Sequence, residues 1–402
     1  MNNIGLYGIE GVYNFGCEAI VRGTVEILKK IGVKEEQITY FSADALEDKK
    51  YLKDLKIQVI QLDRQQNYIV RIINKVFRIA KVPYQLKVDD LKKIEKSDVI
   101  FSIGGDMYTI PKWRRQKKVY SYYNRLVQSG NYFIKRGKKI VIFGASIGPF
   151  GNRKKAIAYY IDYFKRVNLI VAREDKCLNY LEDNGVSNNT LFFPDPAFFV
   201  KLENTVQMEK KYIGINLSPL SLIEIYGSVS KEMIDKLCVL MRKIIKETNL
   251  DILLIPHVLS PNVKDNDLLF LEKIKMAMDS EVSKKIKIGN NKNFLETKQL
   301  LHQCKMVIAA RMHCAVNAVS ENIPTIFLAY SHKAEGMCKY VYGDKQWSVT
   351  LNQIDNELIE KVRKMYEEKD EISNYLKKRM LEIRNLENYK EEIRRMEAVI
   401  KE

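Results

Sequence analysis

Short apolar runs rich in β-branched residues recur along this chain, bounded by Gly, Pro, Asp or Lys and separated by stretches with helical spacing. In the first half they fall at residues 4–7, 38–41, 57–62, 99–103, 140–143, 169–171 and 191–193. Continuous apolar runs of this length, without alternation, are the pattern of strands covered on both faces. Helical patterns at 17–31, 154–166 and 175–184 lie between them. Strand, helix and strand repeated in this way predict a parallel α/β sheet. The polar stretch 202–211 reads as a linker, and the pattern then restarts. Strands are expected at 212–217, 252–255, 286–288, 307–309 and 325–328, with helices at 230–248, 268–278 and 314–320. From 356 to 402 the chain is charged and helical, with no strand left to place. The expected architecture is therefore two Rossmann-like domains facing a cleft, residues 1–203 and 210–352, followed by C-terminal helices over 353–402. A length of 402 residues agrees, since single cores stop growing near roughly 250–300 residues.

The formal charge of +17 favours anionic partners, whether nucleic acid, anionic lipid or a phosphorylated substrate. No stretch approaches the roughly 20 consecutive apolar residues of a membrane span. The first residues lack a basic segment ahead of an apolar run, so no secretory signal is expected. The six cysteines are scattered without CxxC spacing and read as reduced thiols. A cytoplasmic protein is expected.

In doubly wound sheets ligands bind outside the carboxyl ends of the strands, so the loops there are the places to look. Gly8 to Gly16 leads from the first strand into a helix, but its spacing is neither GxGxxG nor a Walker loop. Ser102-Ile103-Gly104-Gly105-Asp106 and Phe143-Gly144-Ala145-Ser146-Ile147-Gly148-Pro149 each follow an apolar run and read equally well as structural turns. The sharpest loop is Arg311-Met312-His313, at the end of a strand and the opening of a helix. Alternation along the extended end lets Arg311 and His313 point to one side. A guanidinium and an imidazole at a helix N-terminus suit a carboxylate or phosphate ester. From spacing alone, a local reading stands beside this one: Arg311 pairs with a nearby carboxylate and His313 caps the helix.

Several elements occur together in a typical order: Asn14 to Ile20, Gly104-Gly105-Asp106, Gly144 to Pro149, Arg173, Asp195-Pro196, Arg311-Met312-His313 and Tyr330 to Lys333. This ordered set resembles the polysaccharide pyruvyl transferases, over nearly the whole chain before the C-terminal helices. That family usually reads Gly-Asp where this chain has Gly16-Cys17, so either Glu18 takes the place of the Asp or acceptor binding differs.

The resemblance implies a glycosyltransferase-B-like fold and transfer of pyruvate from phosphoenolpyruvate to a sugar of a capsule, exopolysaccharide or other cell-surface polysaccharide. The product is a cyclic pyruvate ketal, and phosphate is released. Arg173, Arg311 and Met312 are implied as donor-binding residues, with Lys333 assisting the phosphate. His313 is the expected general acid, because an imidazole titrates near neutral pH. His257 or His332 is expected to activate the acceptor hydroxyl, and Asn14, Glu18, Asp106, Ser146 and Asp195 to position the acceptor. His302, inside the helical pattern 296–303, reads as a surface or packing residue. No Asp-x-Asp or His/Cys cluster is taken as a metal site, and neither metal nor cofactor is expected beyond phosphoenolpyruvate as co-substrate.

Two stretches bear on the acceptor. Residues 68–82 contain no acid, and on a helix Ile69, Ile72, Ile73, Val76, Phe77 and Ala80 form an apolar stripe beside Arg71, Asn74, Lys75, Arg78 and Lys81. Such a helix either packs on the sheet by that stripe or lies on an anionic membrane. Lys112 to Lys118, with Trp113, mixes cations with aromatics. Together they suggest an undecaprenyl-diphosphate-linked oligosaccharide acceptor and peripheral contact with the inner face of the plasma membrane. A nucleotide-sugar glycosyltransferase of the same architecture is the alternative. A nucleic-acid-binding protein is a distant third, since no dedicated nucleic-acid motif is present.

Overall fold

The computed structural model describes residues 2–63, 68–86, 90–202, 208–329, 332–351, 354 and 356–401. Its contacts divide the chain into two units: Met1–Val12, Ile20–Pro196 and Leu386–Glu402 in the first, Tyr13–Ala19 and Ala197–Asn385 in the second. The expected linker overlaps residues 203–207, which lie outside the described residues.

The first unit carries seven strands: β1 (Ile4–Tyr7), β2 (Ile38–Ser42), β3 (Gln58–Gln61), β4 (Val99–Ile103), β5 (Lys139–Ala145), β6 (Leu169–Ala172) and β7 (Thr190–Phe192). They lie in the order β3-β2-β1-β4-β5-β6-β7, every pairing parallel. The second unit has β8 (Tyr212–Asn216), β9 (Asp251–Leu254), β10 (Ile286–Ile288), β11 (Cys304–Ala309), β12 (Thr325–Ala329) and β13 (Ser348–Thr350). Their order, β10-β9-β8-β11-β12-β13, repeats the scheme of the first sheet. In each sheet the winding reverses beside the first strand, between β1 and β4 and between β8 and β11. Right-handed crossovers then leave on opposite faces and open a crevice outside the carboxyl ends at that point.

Burial explains the sequence pattern. Every residue of β1, β4, β6, β8 and β12 is buried, so their runs are mostly apolar on both faces, with Ser102, Asn216 and Thr325 enclosed at strand ends or next to them. At the sheet edge, β3 exposes Gln58 and Gln61 and keeps only its two middle residues partly covered. β13, which pairs with β12, has only three residues, two of them Ser and Thr. Its short, half-polar run carries no apolar signal, and the sequence reading placed no strand there. The C-terminal helices do not act as one segment. Lys369–Arg384 falls in the second unit and Lys390–Lys401 in the first.

The helix Tyr68–Ile79 is seated by an unexpected side. Val70 and Asn74 are its buried residues, and Asn74 exchanges two hydrogen bonds with the Leu86 backbone. Packing by the Ile69–Ile72–Val76 stripe is not what holds it, for those side chains face solvent.

The helix Phe15–Lys30 passes the Pro196 carbonyl so closely that a Cβ on Gly23 would land on that oxygen. Gly23→Ala is expected to lower stability by about 1–3 kcal/mol, the usual cost of forcing backbone apart in a packed interior. Urea unfolding of the variant beside wild type reads it. An unchanged midpoint would show that the Pro196 turn gives way freely.

Candidate functional site

The carboxyl end of β11 opens directly into the helix Met312–Val319, with Arg311 as its N-cap residue in extended conformation. His313 therefore stands in the first helical turn. It does not share a strand face with Arg311, so the alternation expected from the sequence does not apply. No side-chain cap hydrogen bond is made at this helix start.

Arg311 follows the local alternative. Its Nη2 donates to Asp265 Oδ1 at 2.6 Å and Asp267 Oδ1 at 2.7 Å, and its Nε to Asp267 at 3.2 Å. Burial works against the charge, but Asp267 and Asp265 outweigh it and hold the guanidinium above its ordinary range. Its side chain keeps 11% of its surface exposed. The chain thus does contain an Asp-x-Asp, Asp265-Asn266-Asp267, which the sequence reading passed over; it grips an arginine.

Asp267 is wholly buried and also accepts from the amides of His257 and Val258 and from Asn216 Nδ2. Asn216, the last residue of β8, takes the Arg311 amide on Oδ1 at 2.8 Å. Asn216, Asp265 and Asp267 are the members of this site that the sequence did not disclose. The available signals were a polar residue ending a buried strand and two aspartates two apart before a helix.

The segment Tyr13–Ala19 packs in the same unit. Asn14 bridges to Val258, and its Oδ1 takes the Gly16 amide at 2.9 Å. Phe15 donates its amide to the His257 carbonyl at 3.1 Å. A Cβ on Gly16 would sit 2.6 Å from His313 Nδ1, so only glycine lets this backbone lie against the imidazole. Glu18, expected at the acceptor, is fully buried and accepts the Phe294 amide at 2.8 Å, at the start of the helix Phe294–Leu301. A carboxylate there complements the helix dipole and gives Glu18 a structural bond of its own.

His257 is 1% exposed, between the rings of Phe15 and Phe294 at centroid distances of 5.7 and 6.2 Å. Burial pushes its imidazole well below the ordinary range, with the His313 and Arg311 charges adding to the effect. It is a neutral ring in the core, away from any solvent-borne hydroxyl in this structure. His302 is paired with Glu321 at 2.9 Å, beside buried Lys298, with 22% of its side chain exposed. Lys333 is half-buried on the helix His332–Tyr342. Tyr330, Ser331 and the His332 side chain lie outside the described residues.

The first unit gathers a second cluster at the carboxyl ends of β4, β5, β6 and β7. Arg173, just past β6, donates Nη1 to Asp195 at 2.6 Å and Nη2 to Ser146 Oγ at 3.2 Å. Glu174 and Asp106 stand at 3.6 and 3.9 Å. Burial opposes the Arg173 charge, and the three carboxylates outweigh it. Ser146 in turn donates to Glu174 at 2.7 Å, and its amide to the Gly105 carbonyl. The side chain of Arg173 is 1% exposed, that of Asp195 0% and that of Asp106 60%. Arg173, expected on the donor, thus has its guanidinium enclosed by carboxylates, while Asp106 faces outward. Breaking such a buried pair from one side leaves an uncompensated charge, at a cost of about 3–5 kcal/mol.

Two parallel, doubly wound sheets of this order define a glycosyltransferase-B-like class. Solved structures agree. HepE of Anabaena in complex with UDP-glucose superposes with a TM-score of 0.60 at 12% identity, over 98% of each chain. The UDP-N-acetylglucosamine 2-epimerase of Rickettsia bellii gives 0.54 at 11% identity, over 94% of this chain and 95% of that one. At such identities the likeness is one of fold. The polysaccharide pyruvyl transferase family model matches residues 14–332, and the chain belongs to that family. The amylovoran biosynthesis protein AmsJ of Erwinia amylovora is 23% identical over 281 residues. That match takes in 62% of this chain and 63% of AmsJ, just under two thirds of the curated relative.

The buried neutral His257 makes stability pH-dependent. Its folded pKa lies below the unfolded value of about 6.5, so the unfolded chain takes up the proton first and stability falls as pH drops through that value. Between pH 7.5 and 5.5 wild type is expected to lose about 1 kcal/mol more than His257→Gln, by urea unfolding at both pH values. Equal losses would mean the ring is protonated in the fold. Separately, Gly16→Ala would set a methyl 2.6 Å from His313 Nδ1 and 2.9 Å from its Cβ, and is expected to displace the ring and lower the melting temperature. An unchanged value would show that the imidazole swings aside freely.

Proposed function

We propose that this protein transfers pyruvate from phosphoenolpyruvate to a sugar of a cell-surface polysaccharide, or of its lipid-linked precursor, forming a cyclic ketal. The observation that carries the reading is Arg311 with His313 at the helix start beside the β8/β11 reversal, in a chain of the pyruvyl transferase family. A helix N-terminus at such a switch point suits an anion.

The electrostatics refine the roles. Arg311 with two aspartates carries no net positive charge, so it supplies a directional fork, held in register by Asp265 and Asp267. Its Nη1 has no hydrogen-bond partner among the described residues and is the group offered to the donor. Net attraction for the carboxylate and phosphate comes from the helix N-terminus and Lys333.

His313 delivers a proton to the methylene carbon. The central carbon becomes electrophilic, a sugar hydroxyl bonds to it, and the bond to the phosphate oxygen breaks. A second hydroxyl of the same sugar then closes the ketal. His332 is the favoured base for the attacking hydroxyl, since His257 is enclosed. In the first unit Arg173 acts through the loops it ties, which present Asp106 to an acceptor. Asp195 and Ser146 support that arrangement.

The bound UDP-glucose of HepE favours a second reading, transfer from a nucleotide sugar. Calorimetry separates the two. Phosphoenolpyruvate is expected to bind saturably, with affinity falling at least about tenfold in Arg311→Ala, while UDP-sugars give no heat. Because that variant leaves Asp267 unpaired, its fold is checked by circular dichroism, and His313→Gln serves beside it. His313→Gln is expected to keep donor binding and lose about two to four orders of magnitude in phosphate release with an acceptor present. Binding of a UDP-sugar in place of phosphoenolpyruvate would overturn the pyruvyl-transfer reading.

A further inference from the structure

The helix Tyr68–Ile79 buries too little of its apolar surface. At about 100° per residue, Tyr68, Ile79, Ile72, Val76, Ile69, Ile73, Phe77 and Val70 follow one another around roughly half of the circumference. The protein covers one edge of that arc: Val70 is buried, Ile73 and Phe77 are half-buried, and Asn74 beyond them is bonded to Leu86. The remainder is open to solvent, with Ile69 66%, Ile72 45%, Val76 55% and Ile79 70% exposed. Arg71, Lys75 and Arg78 stand exposed on the adjoining arc, and the sequence from 64 to 88 has no Asp or Glu.

A second basic segment lies alongside. Lys81 Nζ donates to the Val119 carbonyl at 3.3 Å, joining the end of this helix to residues 112–119. There Trp113 is 61% exposed, its ring flanked by Arg114 and Lys117 at 5.3 and 5.4 Å. Val119, Lys112 and Lys118 are exposed beside it.

We propose that these two segments form a docking surface for an anionic lipid bilayer. The helix lies in the plane of the interface, its isoleucines toward the acyl chains and its cations among the phosphates, with Trp113 at headgroup depth. Charge argues for this occupant. A second copy packed about a two-fold axis through this face would set Arg71, Lys75 and Arg78 against themselves, with no acid on the helix to pair them. A nucleic acid would meet exposed isoleucines where it needs cations.

The surface also adjoins a place for an acceptor. Arg114, next to Trp113, lines a polar pocket of about 240 Å3 in the same unit, with Asp106, Asn124 and Arg125. A sugar carried on a lipid diphosphate would be presented there from the membrane. That last step rests on the pyruvyl-transfer reading; the docking does not.

The full chain is sedimented with phosphatidylcholine vesicles, with and without phosphatidylglycerol, at low and high salt and with no donor present. Wild type is expected to pellet with the anionic vesicles at low salt and to be released at high salt. Ile72→Glu/Val76→Glu and Lys75→Glu/Arg78→Glu, all at exposed positions and checked by circular dichroism, are each expected to weaken binding at least about tenfold. Wild type remaining in the supernatant, or variants that bind as well as wild type, would overturn the proposal. So would a concentration-dependent dimer that Ile72→Glu disperses while no vesicles are bound, since the face would then serve self-association. Because no donor is used, failure here leaves the donor assignment standing.

Discussion

One buried carboxylate organises the second unit. Asp267 accepts from the backbone amides of His257 and Val258, from Asn216 and from Arg311, and so joins the ends of β8, β9 and β11 in one network. A charge without solvent survives there because Arg311 compensates it and amides satisfy its remaining lone pairs. The position of Arg311, and with it the start of the helix that carries His313, depends on that compensation. The geometry of this strand end is therefore set by a salt bridge whose main contribution is direction.

The first unit repeats the device with different residues. Arg173 is enclosed by Asp195, Glu174 and Asp106, and it ties together loops from four strands. In both units the arginine at a strand end has been neutralised by the fold before any ligand arrives. Neither arginine therefore leaves a net positive charge at its strand end. The +17 of the whole chain is borne elsewhere, including the surface of the helix Tyr68–Ile79 and the segment around Trp113.

That surface shows why a helical pattern does not say which way a helix faces. The stripe through Ile69, Ile72 and Val76 is as regular as that of a core helix, yet the buried positions are Val70 and Asn74. Asn74 wins burial because its amide satisfies both polar groups of the Leu86 backbone, which an isoleucine cannot do. A polar side chain with two good partners outweighed apolar ones with none.

The sequence by itself determined the strands that are buried on both faces. β1 and β4 match its runs to the residue and most others to within one or two, since continuous apolar runs admit few alternatives; the edge strand β10, with Lys287 exposed, matches as well. It also brings forward Arg311-Met312-His313 at a strand end, and Arg173 through the family resemblance. What it left open was non-local. Strand order depends on crossovers between distant segments, and β13 was too short and polar to announce itself. The partners of Arg311 lie about 45 residues away, and no local pattern links Asp265 or Asp267 to it. The burial of His257 and Glu18 is equally hidden: the rings of Phe15 and Phe294 enclose the first, and the second, in the first turn of its helix, is bound by the distant Phe294 amide. Periodicity reports how much apolar surface an element has, whereas desolvation and partner choice are properties of what packs against it, and only the tertiary structure decides those.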